Sequence, residues 1–225
     1  MSASDWSALW LTLRLASVTT AALLLIAAPL AWWLANTPSR LKPVVEAIVA
    51  LPIVLPPTVL GFYLLILFSP SSGLGAFWLS VTGETLTFSF TGLVIASVIY
   101  SLPFAVQPLQ AAFEAAIGDY MEAAASLRAG PGDAFLTVAA PLSARGFLTA
   151  AVLSFAHTLG EFGVVLMIGG NIPGETRVVS IAIYENVETL RYDEAQALAL
   201  TLLGVSFVVL LLVYLLNQRF RVHGQ

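Results

Sequence analysis

The chain alternates long apolar stretches with short polar breaks. The stretches are too continuous for the one-sided stripe of a water-facing helix. Five of them, Leu15–Ala35, Val44–Phe68, Thr91–Phe113, Gly146–Gly169 and Ala195–Leu216, reach the roughly 20 residues that a helix needs to cross a hydrocarbon core. Each predicts a membrane-spanning helix. Pro52, Pro56 and Pro57 interrupt the second, and Pro103 and Pro108 lie inside the third. The stretch VVSIAIYENVETLRYDE (178–194) has an apolar run too short to cross alone, so it predicts a half-embedded or surface helix; a sixth span requires it to cross. Residues 69–89 read as a Gly/Ser/Thr-rich loop without a basic residue. The expected fold is all-α: a polytopic membrane helix bundle forming one domain over residues 1–225.

One polar segment interrupts the pattern, DYMEAAASLRAGPGDAFLTVAAPLS (119–143). Asp119 suits an N-cap, and Glu122 three residues on completes an acidic capping box. Tyr120–Ala129 is Ala-rich and helix-forming, with Arg128 in the last turn, where a cation suits the helix dipole. Gly130 favours a left-handed stop and Pro131 prevents continuation. Asp133 then starts a second short helix and Pro141 ends it. Residues 118–143 therefore predict a helical hairpin at the membrane surface.

Composition agrees with lipid as the main solvent. Hydrophobic residues make up 59% and charged residues 10%, against about 25% charged in ordinary soluble domains. A net charge of −4 without a basic stripe offers nothing to nucleic acid. The absence of cysteine excludes disulfides and thiolate metal sites. The leading MSASDWSALW carries Asp5 and no base before Arg14, and the following run exceeds a signal-peptide core, so an uncleaved anchor is expected. With five crossings, Arg40, Lys42, Arg128, Arg145, Arg219 and Arg221 share one side, leaving Arg14, Arg177 and Arg191 opposite. The positive-inside rule then puts the N-terminus outside and the C-terminus and hairpin in the cytoplasm.

The chemistry available is sparse. No GxxxxGK[ST] loop exists, and AGPGD (129–133) lacks its lysine, so the chain is not expected to hydrolyse ATP. His157 and Glu161 are four apart, which places them on one face of the fourth span. Without a third ligand they make a poor metal site. An ionised Glu161 would repel an anionic cargo by about 4 kcal/mol at 4 Å and an effective dielectric near 20, so a structural or gating role suits it better than substrate binding. LPIVLPP (51–57) frees backbone carbonyls and must face protein or water. No span centre carries Lys or Arg; the passage expected is weak, lined by hydroxyls, backbone amides and glycines such as Gly160 and Gly163. The gating candidates are Pro52, Pro56, Pro57, His157, Gly160, Glu161 and Gly163. Ser154, three residues from His157, leaves an intramembrane hydrolase as a rival, and a passive structural subunit as another.

The pattern Glu122-Ala123-Ala124, Gly130, Pro141-Leu142 resembles the EAA loop of permeases in binding-protein-dependent ABC importers. LPIVLPPTVLGFYLL (51–65), SFAHTLGEFGVVLMIGGNIPGETR (154–177) and IAIYENVE (181–188) resemble the molybdate permeases of that class. Sulfate and thiosulfate permeases share GEFG and EAA features, and a tungstate permease is a further alternative; GGNIPGETR followed by AIY leans to molybdate. The resemblance implies a coupling helix inserted into a groove on a cytoplasmic ATPase subunit, with Asp119, Glu122, Ala123, Ala124, Arg128, Gly130 and Pro141 as coupling residues. It implies a bacterial inner-membrane location, two ATPase subunits that hold ATP and Mg, and a periplasmic oxyanion-binding protein. No cofactor is expected in this chain itself. Few spans are available to enclose a path, so a C2 homodimer is expected. Replacing His157 by Ala separates the classes: a hydrolase loses its chemistry, whereas a permease continues to import.

Overall fold

The computed structural model describes residues 2–116 and 130–222, and every regular element among them is helical. Helix α1 (Ala3–Asn36) starts well before its apolar run. Ser2 Oγ accepts a hydrogen bond from Asp5 N–H at 3.2 Å, and the Asp5 carboxylate accepts one from Ser2 N–H at 2.7 Å. This capping box satisfies two first-turn donors. At 34 residues the helix is about 51 Å long, which exceeds the hydrocarbon core.

The expected single span Val44–Phe68 is instead two helices, α2 (Lys42–Val54) and α3 (Pro57–Phe68), set at 111°. A residue that precedes proline is pushed out of the helical region. Leu55 and Pro56 each precede one, and both are extended, with ψ of 135° and 138°. Pro52 lies buried inside α2 and makes no break. The stretch 69–89 is likewise more than a loop, because it contains α4 (Gly73–Thr82). Ser72 Oγ caps that helix by accepting from Gly75 N–H at 2.9 Å.

Helix α5 (Phe90–Ala116) crosses next. Of the segment 118–143, expected to form a hairpin, residues 130–143 are described. Helix α6 consists of Pro131–Ala134, a π-helical turn over Phe135–Ala139, and Ala140–Leu142. Pro141 sits inside its last turn, and the helix ends one residue later. Asp119, Glu122, Ala123, Ala124 and Arg128 lie outside the described residues.

The fourth run divides too. Helix α7 (Ala144–Leu159) stops at Gly160, and α8 (Gly163–Gly169) follows after Glu161 and Phe162. Helix α9 (Val179–Glu188) has ten residues, about 15 Å of length, and cannot cross alone. Helix α10 (Tyr192–Val222) ends the described chain. Among the described residues, α1, α5 and α10 are long and apolar enough to cross by themselves, and up to five spans result if the bent pairs α2–α3 and α6–α7 each count as one.

Helices α1, α5 and α7 pack along one another and form the centre of the bundle. Its core lies in two layers. One joins Leu15, Phe68, Leu93, Val165 and Ile168; the other joins Leu23, Leu34, Leu109 and Phe113. Between apolar helices in lipid, close van der Waals fit replaces exclusion from water as the packing force. The buried alanines Ala27, Ala28 and Ala31 on α1 supply that fit. Helix α10 packs chiefly against α9 and touches α7 less, and most of its length is uncovered.

Thr12 ties α9 to the bundle. Its hydroxyl donates to Ala8 C=O at 2.7 Å and accepts from Val179 N–H, the first donor of α9, at 2.9 Å. Thr12→Val keeps the shape but leaves the Val179 N–H unpaired, at a cost of about 1–3 kcal/mol. A lower midpoint in a thermal melt of the detergent-solubilised protein is the expected outcome.

Candidate functional site

The two breaks in the helical structure meet at one place. The start of α3, the end of α7 and the start of α8 surround a cleft of about 580 Å³, lined among others by Pro57, Thr58, Tyr100, His157, Glu161 and Met167. Gly160 and Gly163 line it as well. Thus Pro57, His157, Gly160, Glu161 and Gly163, singled out in the sequence, come together. Pro52 and Pro56 do not join them. Gly130, just before α6, and Pro141, within it, are exposed and do not line the cleft.

Two glycines permit this meeting. A Cβ on Gly163 would sit 2.7 Å from Pro57 Cβ, and one on Gly61 would sit 2.8 Å from Met167 Cβ. The half-helices α3 and α8 therefore touch backbone to side chain, closer than any larger residue allows. The N-terminal end of α3, where the helix dipole carries about half a positive unit charge, faces the cleft through Thr58.

His157 is held by α5. Its Nδ1 lies 2.9 Å from Ser101 Oγ, which in turn is 3.3 Å from Thr158 Oγ1. Its ring stacks on Phe104 with centroids 4.0 Å apart and tilts against Tyr100 at 4.8 Å. Ser154 Oγ is buried with no hydrogen bond among the described residues, and the serine in contact with His157 is Ser101. Among the described residues no three His, Cys, Asp or Glu side chains gather as metal ligands would.

The placement of Glu161 corrects the one-face reading. Helix α7 has ended at Leu159, so helical spacing does not set its relation to His157; the two line the same cleft because the chain turns there. Glu161 is 5% exposed, and neither carboxyl oxygen has a hydrogen-bond partner among the described residues. The Ser97 hydroxyl on α5 is the polar group beside this carboxyl. The backbone at this point is better satisfied: Ser180 Oγ of α9 donates to Glu161 C=O at 2.6 Å.

The motif GGNIPGETR forms a closed turn next to the cleft. Glu175, Thr176 and Arg177 all donate their N–H groups to Ile172 C=O, at 3.2, 3.0 and 3.1 Å. Arg177 pairs with Glu185 at 2.8 Å, and Asn171 Nδ2 donates to the same carboxylate at 2.8 Å. Glu185 belongs to IAIYENVE, so the two quoted stretches are parts of one knot. Tyr100, Ser101, Phe104 and Ser180 escaped the sequence reading. Tyr100 and Phe104 share a face at i, i+4 spacing on the third span, and an aromatic pair there was the available signal.

The sequence pattern of the family described as "Binding-protein-dependent transport system inner membrane component" matches residues 27–222. The Azotobacter vinelandii molybdenum transport system permease protein ModB is 55% identical, covering 98% of this chain and 97% of its own. Its Escherichia coli K12 namesake is 32% identical over 93% of this chain and 91% of its own. A bacterial alginate ABC transporter, solved in complex with an alginate pentasaccharide-bound periplasmic protein, shares the fold with a TM-score of 0.74 at 20% identity, covering 98% of this chain and 80% of that one.

The close contact at Gly163 generates a test. In Gly163→Ala the new methyl meets a rigid proline ring, and such overpacking costs about 1–3 kcal/mol. In Gly160→Ala the methyl would meet only carbonyls of its own helix, at 3.7 and 4.0 Å. Thermal melts in detergent are expected to show a clear loss for the first variant and little change for the second.

Proposed function

The chain belongs to the family of binding-protein-dependent transport system inner membrane components, and from that premise we propose that it is the membrane permease subunit of an ABC importer for molybdate. The observation that carries the reading is its identity to a molybdenum permease over nearly the whole of both chains. The geometry supports it. A passage for an oxyanion needs polar backbone at membrane depth, and irregular backbone is tolerated there only where protein or water covers it. The cleft between α3, α7 and α8 is such a place. Helix breaks at the midplane also supply half-helix ends, the positive one of which attracts anions.

The subunit works as a C2 homodimer, with the two clefts on either side of one path. Its N-terminus lies outside, its C-terminus inside, and the hairpin 118–143 in the cytoplasm. Two ATPase subunits, holding ATP and Mg, grip the hairpins through Asp119, Glu122, Ala123, Ala124, Arg128, Gly130 and Pro141. ATP binding closes the ATPases and turns the path outwards; a docked periplasmic protein releases its oxyanion; hydrolysis resets the path. Each ligand shifts the two-state equilibrium by its unequal affinity for the two states. This chain performs no chemistry of its own. Pro57, Gly163 and Gly61 let the half-helices shift against each other, and His157, clamped by Ser101 and Phe104, shapes the wall.

The test is uptake of labelled molybdate and labelled sulfate into vesicles that contain the permease with its ATPase and binding protein. ATP-dependent molybdate uptake that excess sulfate does not suppress is expected. Preferential sulfate uptake would move the chain to the sulfate branch, and no ATP-dependent uptake of either ion would remove the reading. Glu122→Ala and Gly130→Val are expected to abolish uptake while membrane insertion, followed by fractionation, is unchanged.

A further inference from the structure

Helix α6 packs on the bundle through Phe135 and the buried Ala139, and Phe135 is its aromatic contact. Phe135 points inwards from α6, while Leu136, its neighbour, is 69% exposed on the opposite side. The Phe135 ring lies 5.4 Å from Trp32 of α1 and 5.8 Å from Phe113 of α5, centroid to centroid. Phe113 is fully buried and continues the chain of rings, edge-on to Trp32 at 5.4 Å and to Phe147 of α7 at 5.9 Å. Four rings therefore link α6 to three helices of the bundle's centre.

Phe135 is also the first residue of the π-helical turn. A π-turn inserts an extra residue into the helical register, and such turns are frequent at functional sites. Asp133 C=O receives the Thr137 hydroxyl at 2.7 Å, which occupies an acceptor near the start of this turn.

We propose that Phe135 is a positioning residue for transport: through Trp32, Phe113 and Phe147 it delivers the movement of the hairpin to α1, α5 and α7 together. The inference rests on the hairpin being the part that the ATPase grips. Without the ring, α6 still folds and still docks, but its stroke no longer moves the three helices as a unit.

The experiment measures molybdate imported per ATP hydrolysed by the complete complex in vesicles with saturating binding protein. Phe135→Leu keeps an apolar side chain of similar reach and removes both ring contacts; Phe135→Trp restores a ring. Loss of two aromatic pairs is expected to lower the transport-to-hydrolysis ratio of Phe135→Leu roughly tenfold, with ATP hydrolysis retained and the ratio recovered in Phe135→Trp. A merely structural role would lower uptake and hydrolysis in proportion and leave the ratio unchanged, which overturns the inference. Glu122→Ala measured alongside separates two failures. If it uncouples the complex and Phe135→Leu does not, the aromatic link alone falls; if neither uncouples it, the hairpin reading falls too.

Discussion

Lipid offers no hydrogen bonds, so any backbone that leaves the helix inside a membrane must find cover within the protein. This chain leaves the helix twice along its apolar runs, at Leu55–Pro56 and at Gly160–Phe162. The two breaks shelter each other. Gly163 brings α8 against Pro57, Gly61 brings α3 against Met167, and the hydroxyl of Ser180 closes the carbonyl of Glu161. The cleft is the space left over where this mutual covering is incomplete. Its position follows from the energetics of exposed peptide groups before any property of a cargo is considered.

The bundle divides the labour accordingly. Helices α1, α5 and α7 pack through small buried residues and make a frame at its centre, with Pro29 accommodated inside α1 and Pro103 and Pro108 inside α5. The broken elements α2–α3 and α8 lie against that frame, and α6 meets it through rings. The bundle thus holds a contrast between long helices, α1 and α5, and interrupted segments. Proline and glycine, poor residues for a span on propensity alone, are the means by which it is written into the chain.

Much of this was legible in advance. Apolar runs of span length located α1, α5 and α10, because continuity over about twenty residues has few other causes. The proline pair at 56–57 announced a bend, although Pro52, equally conspicuous, proved harmless inside α2. The break at Glu161 was not readable. Its flanks LSFAHTLG and FGVVLMIG are apolar on both sides, and Gly160 is compatible with a continuing helix; only the packing of α8 on α3 ends it. Helix α4 was hidden for a related reason. GLGAFWLSVT has two glycines among its first three residues, and its start is set by Ser72 acting as a cap, which composition does not weigh. In the site, single residues were found because they were chemically odd for a span, as His157 and Glu161 are. Their partners Tyr100, Ser101 and Phe104 are ordinary for a span and gain meaning only from the neighbour they touch.

Helix α9, too short to cross, joins distant parts with great economy. Val179 is bonded to Thr12 of α1, and the very next residue, Ser180, is bonded to the carbonyl of Glu161 in the cleft. One peptide unit, about 3.8 Å between α-carbons, separates the bond to α1 from the bond to the wall of the cleft. Displacement of the turn that carries Arg177 and Glu185 would act like a crank on a very short arm: small travel and high leverage.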